Sequence, residues 1–325
     1  MVWLEFLICS ALLTYFAYHL CKEGVILSEK TRMEAGLIGM FFLAVATSFP
    51  EVVTGATAVF YLGRIGLGYG DIVGSVIVNL MVLFFLDYYQ GKGRILLRVT
   101  SINRITGVFV VIVVSAVLFF SILRLSGIVL PAFKGIGIES PFIVLIYFAS
   151  LEIVRRRGTL SHGGVYDAQR EPFWGIWAKF IFFLVIVMFL GVWMAKVGEK
   201  LVITTEMSQT FIGTLFLGLA TSLPEIIVSF AALKAGSVDM AVGNILGSNL
   251  FDVAVIPFFD GLSRRPILGM LTSAEVTATI IALLLSAVAV MGLFYKRDTN
   301  KRISWDTSLI FVVGFIGFVL LYFIK

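Results

Sequence analysis

Two polar segments in apolar surroundings repeat each other in this chain of 325 residues. Residues 44–51 (AVATSFPE) return 174 positions later as residues 218–225 (GLATSLPE). In the first copy the Thr47 hydroxyl and the Glu51 carboxylate are four residues apart, so they share one face of a helix, and the second copy has the same pair. The proline before each glutamate, Pro50 in the first copy, has no backbone N–H and frees the carbonyl four residues earlier. The pattern predicts a broken helix with an exposed set of oxygens in each half of the chain.

A second pair of segments repeats at a distance of 173 positions, one residue fewer than the first pair. Residues 70–79 (GDIVGSVIVN) correspond to residues 243–252 (GNILGSNLFD), and each ends with a serine followed four residues later by an amide or a carboxylate. The four pairs of polar residues spaced four apart in these segments, together with the carbonyls that the prolines free, supply three carboxylates, one amide, several hydroxyls and freed carbonyls, with no His or Cys among them. Sets made only of oxygen favour hard cations such as Na⁺ or Ca²⁺ over zinc or copper.

Composition places these motifs in a membrane. With 59% apolar residues, 14% charged residues and a mean hydropathy of +1.03, the chain has too little polar surface to cover a soluble core. Apolar stretches long enough to cross a bilayer occur ten times. They lie at about residues 2–21, 35–62, 71–89, 105–123, 136–154, 174–197, 209–234, 239–260, 271–294 and 306–324. An ionisable group at that depth costs about 2.5 to 3.5 kcal/mol, so three converging carboxylates imply a positively charged occupant.

The spans predict an all-α polytopic protein built from two five-helix repeats, residues 1–154 (motif 39–79) and 174–325 (motif 213–252), joined by a cytoplasmic connector at 155–173. Because five spans separate equivalent points, the second repeat is expected to be inverted in the membrane, with the site near the midplane between the halves. With the N-terminus outside, most of the 25 Lys and Arg residues fall on the cytoplasmic side. The net charge of +5 is therefore a topology signal, and no nucleic-acid partner is predicted.

Both copies resemble the α-repeats of the sodium/calcium exchanger family, in its prokaryotic form, within the cation/Ca²⁺ antiporter superfamily. The family pattern runs G-x-x-x-x-A/G-x-x-T-S-x-P-E and then G-N-x-x-G-S-x-x-x-N/D. The resemblance implies ten transmembrane helices, a central cluster of ion sites and alternating access by sliding of the first and sixth helices. It implies an antiporter of the plasma membrane that exchanges Na⁺ for Ca²⁺ and is not an enzyme. No cofactor is expected, and the expected partners are inorganic cations and the lipid bilayer, with no protein partner indicated.

The resemblance also implies a set of ion ligands in this chain. Glu51 and Glu225 would bridge the central Ca²⁺ site, and the remaining side-chain ligands would come from hydroxyls, one amide and one aspartate. These ligands are Thr47, Ser48, Ser75, Asn79, Thr221, Ser222, Ser248 and Asp252, with backbone carbonyls of Ala44 and Gly218.

Two positions depart from the family pattern. Asp71 stands where the family has Asn, whereas Asn244 keeps it in the second copy, and Val76 replaces the small or amide residue that Asn249 represents. Asp71 can be an additional carboxylate of the site, coupling a proton or recruiting another cation. The interpretation favoured by the sequence is that Asp71 lies at a helix start, where a negative charge suits the dipole and the cap.

Other functions remain as alternatives. Ca²⁺/H⁺ exchangers and K⁺-dependent exchangers share the fold. The proton-coupled branch has G-N-x-x-E in place of T-S-x-P-E, and Asn79 disfavours K⁺ dependence. The segment Gly68-Tyr69-Gly70-Asp71 fits the G-x-G-D signature of intramembrane aspartyl proteases, but the span at 35–62 lacks the second aspartate that such chemistry needs. A simple channel fits poorly, because sites dense in carboxylates bind too tightly for fast conduction.

Overall fold

The structure is a computed structural model that describes residues 1–30, 46–157, 173–295 and 303–324, and it is almost entirely helical there. The α-helices are α1 (Val2–Lys30), α2 (Phe49–Ala56), α3 (Ile65–Gln90), α4 (Ser101–Leu125), α5 (Glu139–Arg157), α6 (Phe173–Thr205), α7 (Gln209–Phe211), α8 (Gly218–Thr221), α9 (Leu223–Lys234), α10 (Val238–Ser263), α11 (Ser273–Phe294) and α12 (Trp305–Phe323). π-Helical segments cover Thr57–Tyr61 and Ile212–Leu217, and 3₁₀ turns cover Ile95–Leu97 and Ile267–Gly269. A small hairpin pairs β1 (Ala132–Phe133) with β2 (Ile136–Gly137).

Seven helices of the described residues are long and apolar enough to cross a membrane, and the number rises to eight if the bent pair Gln209–Thr221 and Leu223–Lys234 forms one span. Of the ten predicted spans, the fifth is present as α5, whose two glutamates and three arginines make it less apolar. The second, predicted at 35–62, includes residues 35–45, which lie outside the described residues. The protein is thus a multi-pass helical membrane protein, while the count of ten stays a prediction.

The predicted breaks at the two prolines are present. Pro50 lies in the first turn of α2 and Pro224 in the first turn of α9, and each of these helices begins directly after a serine that interrupts the helical path. Proline is tolerated in a first helical turn because its missing N–H has no intrahelical acceptor there. In the second copy the helix axis bends by 42° between Thr221 and Leu223. The motif threonines therefore lie on one side of a break and the glutamates on the other.

The helices bury two apolar clusters. The larger one is built mainly on α3, α4, α10 and α11, and the smaller one on α1 and α6. Polar contacts also join α1 to α6, because Glu5 accepts hydrogen bonds from Trp193 Nε1 at 2.9 Å and Lys200 Nζ at 2.8 Å. The smaller cluster also includes Leu67 of α3, Leu217 of the second π-helical segment and Ala220 of α8, so α1 and α6 pack against the motif segments as well as against each other.

The same polar turn occurs once in each half. Asp87 Oδ1 accepts the backbone N–H of Ile95 at 2.9 Å, and Asp260 Oδ1 accepts that of Ile267 at 2.7 Å. Both aspartates are buried, and each holds the 3₁₀ turn that leads into the next long helix. The two halves therefore share this local structure as well as the motifs.

Glycine allows α3 to approach the π-helical segment before Gly218 very closely. A Cβ on Gly74 would clash with the backbone of Thr214, and one on Gly218 would lie 2.7 Å from the carbonyl carbon of Gly74. Small residues at such crossings bring helix backbones together in membranes. This contact fixes the distance between the second motif of the first copy and the first motif of the second copy.

We expect Gly74→Ala to lower stability, because the added methyl has only backbone to displace, and overpacking of this kind costs about 1 to 3 kcal/mol. The measurement is the thermal unfolding midpoint of the purified protein in detergent. Gly261→Ala is the control, since a Cβ there meets nothing within 4 Å and replaces a helical glycine. Equal midpoints for the two variants would show that the close approach at Gly74 is absent.

Candidate functional site

The predicted oxygen-bearing residues come together in the interior. The side chains of Thr47, Ser48, Glu51, Ser75, Asn79, Thr221, Ser222 and Glu225 are fully buried, and Ser248 and Asp252 are 1% exposed. Gly218 is buried at the start of α8, where its carbonyl accepts the Ser222 N–H at 3.2 Å. Ala44 lies outside the described residues, so the position of its carbonyl stays a prediction.

Hydroxyls of one copy contact hydroxyls of the other. Thr47 Oγ1 and Ser248 Oγ are 3.2 Å apart, and Ser75 Oγ and Thr221 Oγ1 are 3.4 Å apart. These two contacts are equivalent, because each joins the threonine of one copy's first segment to the serine of the other copy's second segment. The two copies therefore face each other across a shared interior site.

The carboxylates of this site have few hydrogen-bond donors. Ser48 Oγ donates to Glu225 Oε1 at 3.2 Å. Among the described residues, several other buried oxygens have no hydrogen-bond partner: Glu51 Oε1 and Oε2, Glu225 Oε2, Asp252 Oδ1 and Oδ2, Asp71 Oδ2, Asn79 Oδ1 and Ser222 Oγ. Buried acceptors without donors are costly and rare in native proteins. A bound cation is the partner that would satisfy all of them at once.

Electrostatics point the same way. The Glu51 carboxylate lies within interaction range of the carboxylates of Glu225, Asp252 and Asp71, and each of these three repels Glu51 when ionised. Within the described part of the chain, no three His, Cys, Asp or Glu side chains converge closely enough to hold a metal ion by themselves. The hydroxyl and carbonyl oxygens must then complete any coordination shell, which suits Ca²⁺ and its six to eight oxygen ligands.

The interpretation of Asp71 as a helix-start residue is wrong. Helix α3 begins at Ile65, so Asp71 lies in its second turn, beyond the first-turn N–H groups that a cap satisfies. The apolar run that marked this span begins later than the helix, because the Gly-rich segment before it is also helical. Asp71 is fully buried, and its Oδ1 accepts the Thr221 hydroxyl at 3.0 Å. It belongs to the interior site.

Two further residues of the site carried no clear signal in the sequence. Asn249 Oδ1 accepts from Asn79 Nδ2 at 3.0 Å, which leaves Asn79 Oδ1 as the free acceptor. The sequence shows that the second copy has an amide, Asn249, where the first copy has Val76. It does not show that this amide pairs with Asn79, which lies in the other copy. The buried thiol of Cys21 on α1 lies within electrostatic range of Glu225 and Glu51, so α1 borders the site.

A multi-pass helical protein that buries acidic and hydroxyl groups between two related halves has the architecture of a secondary transporter. The sequence profile of the family described as sodium/calcium exchanger protein matches residues 1–151 and 175–324. The chain belongs to the sodium/calcium exchanger family, whose members are membrane antiporters. This membership does not support the alternative of an intramembrane aspartyl protease based on the G-x-G-D segment. Asp71 accepts its hydrogen bond from the Thr221 hydroxyl, whereas that alternative needs a second aspartate as its partner.

Relatives and solved structures agree with this family. The chain is 24% identical to the CaxA protein of Alkalimonas amylolytica over 293 residues, which is 88% of each chain. Its fold is similar to that of the H⁺/Ca²⁺ exchanger CAX, with a TM-score of 0.75 and 12% identity over 99% of this chain and 85% of that one. It is also similar to the sodium-calcium exchanger NCX_Mj, with a TM-score of 0.59 and 19% identity over 99% of this chain and all of that one. Identities this low establish the fold alone.

We expect Asn249→Val, which installs the residue found at the equivalent position of the first copy, to weaken Ca²⁺ binding. The change leaves the Asn79 amide nitrogen unpaired and free to turn, at a cost of about 1 to 3 kcal/mol in stability. The measurement is the thermal unfolding midpoint with and without Ca²⁺, and we expect the Ca²⁺-induced increment to shrink.

The matched control is Asn103→Val. Asn103 is also buried and donates to Asp239 O at 2.7 Å, but it lies outside the site. It should lose stability and keep the full increment with Ca²⁺. Equal increments in the two variants would contradict the positioning role of Asn249.

Proposed function

We propose that this protein exchanges Na⁺ for Ca²⁺ by alternating access at the interior site shared by the two copies. The observation that carries the proposal is that the buried carboxylates of Glu51, Glu225 and Asp252 lie within electrostatic range of one another, and that most of their oxygens have no hydrogen-bond partner among the described residues. A cation is the occupant that such a set of acceptors fits, and the oxygen-only ligands suit Ca²⁺ and Na⁺.

Mutual exclusion on one set of ligands gives antiport. Three ionised carboxylates carry a charge of −3, which one Ca²⁺ reduces to −1 and several Na⁺ ions neutralise. The two cations cannot occupy the same oxygens together, so each leaves when the other binds. The protein switches between its outward-open and inward-open states when a bound cation compensates most of the carboxylate charge in the low-dielectric interior.

The proposed ligands are the side chains of the ion ligands predicted from the sequence, together with the backbone carbonyls of Ala44 and Gly218.

We also propose ten spans in two inverted repeats, residues 1–154 and 174–325, with the N-terminus outside and the connector at 155–173 in the cytoplasm. The polar turns at Asp87 and Asp260 support the repeat, because these two aspartates are 173 residues apart and each accepts the backbone N–H of an isoleucine in the following 3₁₀ turn. The apolar and polar contacts between α1 and α6 support the proposal that these two helices slide together over the site.

Na⁺ is the proposed counter-ion because both copies carry T-S-x-P-E. H⁺/Ca²⁺ exchange is the second candidate, since the fold is shared with the H⁺/Ca²⁺ exchanger CAX as well as with NCX_Mj. K⁺-dependent exchange is the third and is disfavoured by the amide at Asn79. The plasma membrane of a prokaryotic cell is the proposed location.

The counter-ion is tested by ⁴⁵Ca²⁺ uptake into proteoliposomes loaded with Na⁺ and diluted into Na⁺-free buffer, beside vesicles with an imposed pH gradient. Uptake driven by the Na⁺ gradient alone is expected. Uptake driven only by the pH gradient would move the protein to the proton-coupled branch.

We expect Glu51→Gln and Glu225→Gln to abolish this uptake, a larger effect than the roughly 10- to 100-fold loss typical of an outer-shell partner. Each variant removes a charged ligand and keeps the side-chain shape, so the protein should remain folded and monodisperse in detergent. Glu206→Gln is the control, because Glu206 is exposed in the turn after α6, and it should transport normally. Retained uptake in either site variant would refute the site assignment.

A further inference from the structure

An apolar groove of about 730 Å³ lies between α5, α10 and the β-hairpin. The hairpin contributes Phe133 and Ile136, α5 contributes Val144, and α10 contributes Pro257 and Phe258. Its volume falls within the range of about 300 to 1,000 Å³ that is typical of ligand pockets. Phe133 is 77% exposed and Phe258 is 54% exposed, so the groove opens on the outer surface of the protein. In a membrane protein, an apolar surface of this kind faces lipid.

The hairpin is held against the end of α10. Lys134 and Gly135 have φ angles of 51° and 88°, which is the conformation of a two-residue turn between β1 and β2. A Cβ on Gly135 would lie 2.2 Å from the carbonyl carbon of Arg264, the residue that follows α10. The hairpin turn and the end of α10 are therefore in backbone contact, which fixes the hairpin as one wall of the groove.

Helix α5 corresponds to α12 in the repeat. The Ser140 hydroxyl donates to Asp260 Oδ2 at 2.6 Å, and the Thr307 hydroxyl donates to Asp87 Oδ2 at 2.8 Å. In both places the backbone N–H three residues earlier donates to the same oxygen. Because the two aspartates are equivalent, these contacts align each residue of α5 with the residue 167 positions later.

The counterpart of the groove is filled by aromatic rings. Phe84 corresponds to Pro257, and Phe311 corresponds to Val144. The Phe84 and Phe311 rings are stacked with their centroids 4.7 Å apart, and the Phe311 ring also packs edge-on against Phe85. At the groove, a proline and a valine replace the two stacked rings and leave space between the helices. The opening is thus specific to one copy and does not follow from the shared packing of the repeat.

Basic side chains surround the hairpin end of the groove. Lys134, Arg264 and Arg265 are exposed, and none of the three forms an ion pair within the described part of the chain. Lys134 Nζ lies 5.5 Å from the ring centroid of Phe133, which lines the groove. Glu139, at the start of α5, already pairs with an arginine of α4 at 2.7 Å. This end of the groove therefore carries positive charge that no acid of the described residues balances.

We propose that the groove binds one anionic membrane phospholipid, with an acyl chain against α5 and α10 and the headgroup phosphate on Lys134 and Arg264. The apolar lining is complementary to the chain, and the basic residues are complementary to the phosphate. Clusters of Lys and Arg at a membrane surface attract anionic lipids in this way. The inference goes beyond the proposed function, because it concerns a second site and does not depend on which cations are exchanged.

The lipid would contact the helix that carries Asp252. Ala254 lines the groove two residues further along α10. Pro257 lies inside the same helix and cannot donate a hydrogen bond to the carbonyl four residues earlier, so α10 is weakened at the groove. An acyl chain packed there supports the helix next to the interior site.

The test is native mass spectrometry of the delipidated full chain in detergent, titrated with phosphatidylglycerol or with phosphatidylcholine of the same acyl chains. We expect one phosphatidylglycerol to bind more than tenfold more tightly than phosphatidylcholine. Lys134→Gln combined with Arg264→Gln should remove this preference, because each basic residue near an anionic lipid surface contributes about fivefold in affinity.

The matched control is Lys92→Gln combined with Arg98→Gln, which also removes two exposed basic side chains. These residues precede α4 and the hairpin follows it, so the 25 residues of that helix, about 37 Å, separate them from the groove. The control should keep the full preference for phosphatidylglycerol.

Val144→Phe tests the acyl-chain part of the site, because it installs the residue found at the equivalent position of α12. The added ring should occupy the groove and lower the affinity for phosphatidylglycerol several-fold, although the basic residues are unchanged. If this variant does not fold, the two pairs of charge variants decide the question, since all four of their side chains are exposed.

Three results would overturn the proposal. The first is equal binding of the two lipids, or the same preference in the Lys134 and Arg264 variant as in its control. The second is an equal rise of the unfolding midpoint with inorganic phosphate, because the acyl chain would then contribute nothing. The third is a lipid-free dimer that Val144→Phe disrupts, which would assign the groove to a second copy of the chain. None of these measurements involves Ca²⁺ transport, so the proposed function stands or fails separately.

Discussion

The interior carboxylates impose the condition that the rest of this protein satisfies. Glu51, Glu225 and Asp252 are removed from water; the Ser48 hydroxyl donates to Glu225, while the oxygens of Glu51 and Asp252 have no hydrogen-bond partner in the described part of the chain. Such groups are tolerated in a membrane only where a partner of opposite charge can be present. A fold that keeps these oxygens near one another without donors suits a cation. The carboxylates repel one another, and a bound cation would relieve that repulsion.

The backbone around the site serves this condition in two ways. The prolines end one helix segment and begin another within each first motif, so that hydroxyls and carboxylates approach the site from both sides of a break. The glycines at 74 and 218 let α3 and the turn at Thr221 approach until no side chain fits between them. Candidate ligands on α2, α3, α8, α9 and α10 can then lie near one another in the interior.

The helices α1 and α6 pack on each other and on the motif segments. Their shared apolar cluster includes Leu67 of α3 and Ala220 of α8, and Thr54 of α2 donates to the Gly191 carbonyl of α6 at 3.3 Å. Helix α1 also borders the carboxylates through Cys21. The polar turns at Asp87 and Asp260 lie among the other long helices and fix the connections between them.

The sequence by itself determined the membrane setting, the duplication, the breaks at Pro50 and Pro224 and the oxygen-bearing residues of the site. These follow from hydropathy, from spacing along one helix and from the chemistry of proline, all of which act over a few residues. The tertiary structure decided which groups meet: Thr47 with Ser248, Asn79 with Asn249, and Asp71 with Thr221. Those partners are far apart in the chain and are set by how the two copies pack, which no local pattern encodes.

The error at Asp71 has the same origin. Hydropathy marks the apolar part of a helix, whereas the helix itself continues for as long as its backbone hydrogen bonds can form, through Gly66, Gly68 and Gly70 to Ile65. The sequence therefore identified an unusual acid at this position and could not say whether it capped a helix or faced the interior. Only the packing of α3 against the second copy brought that carboxylate to Thr221 and into the site.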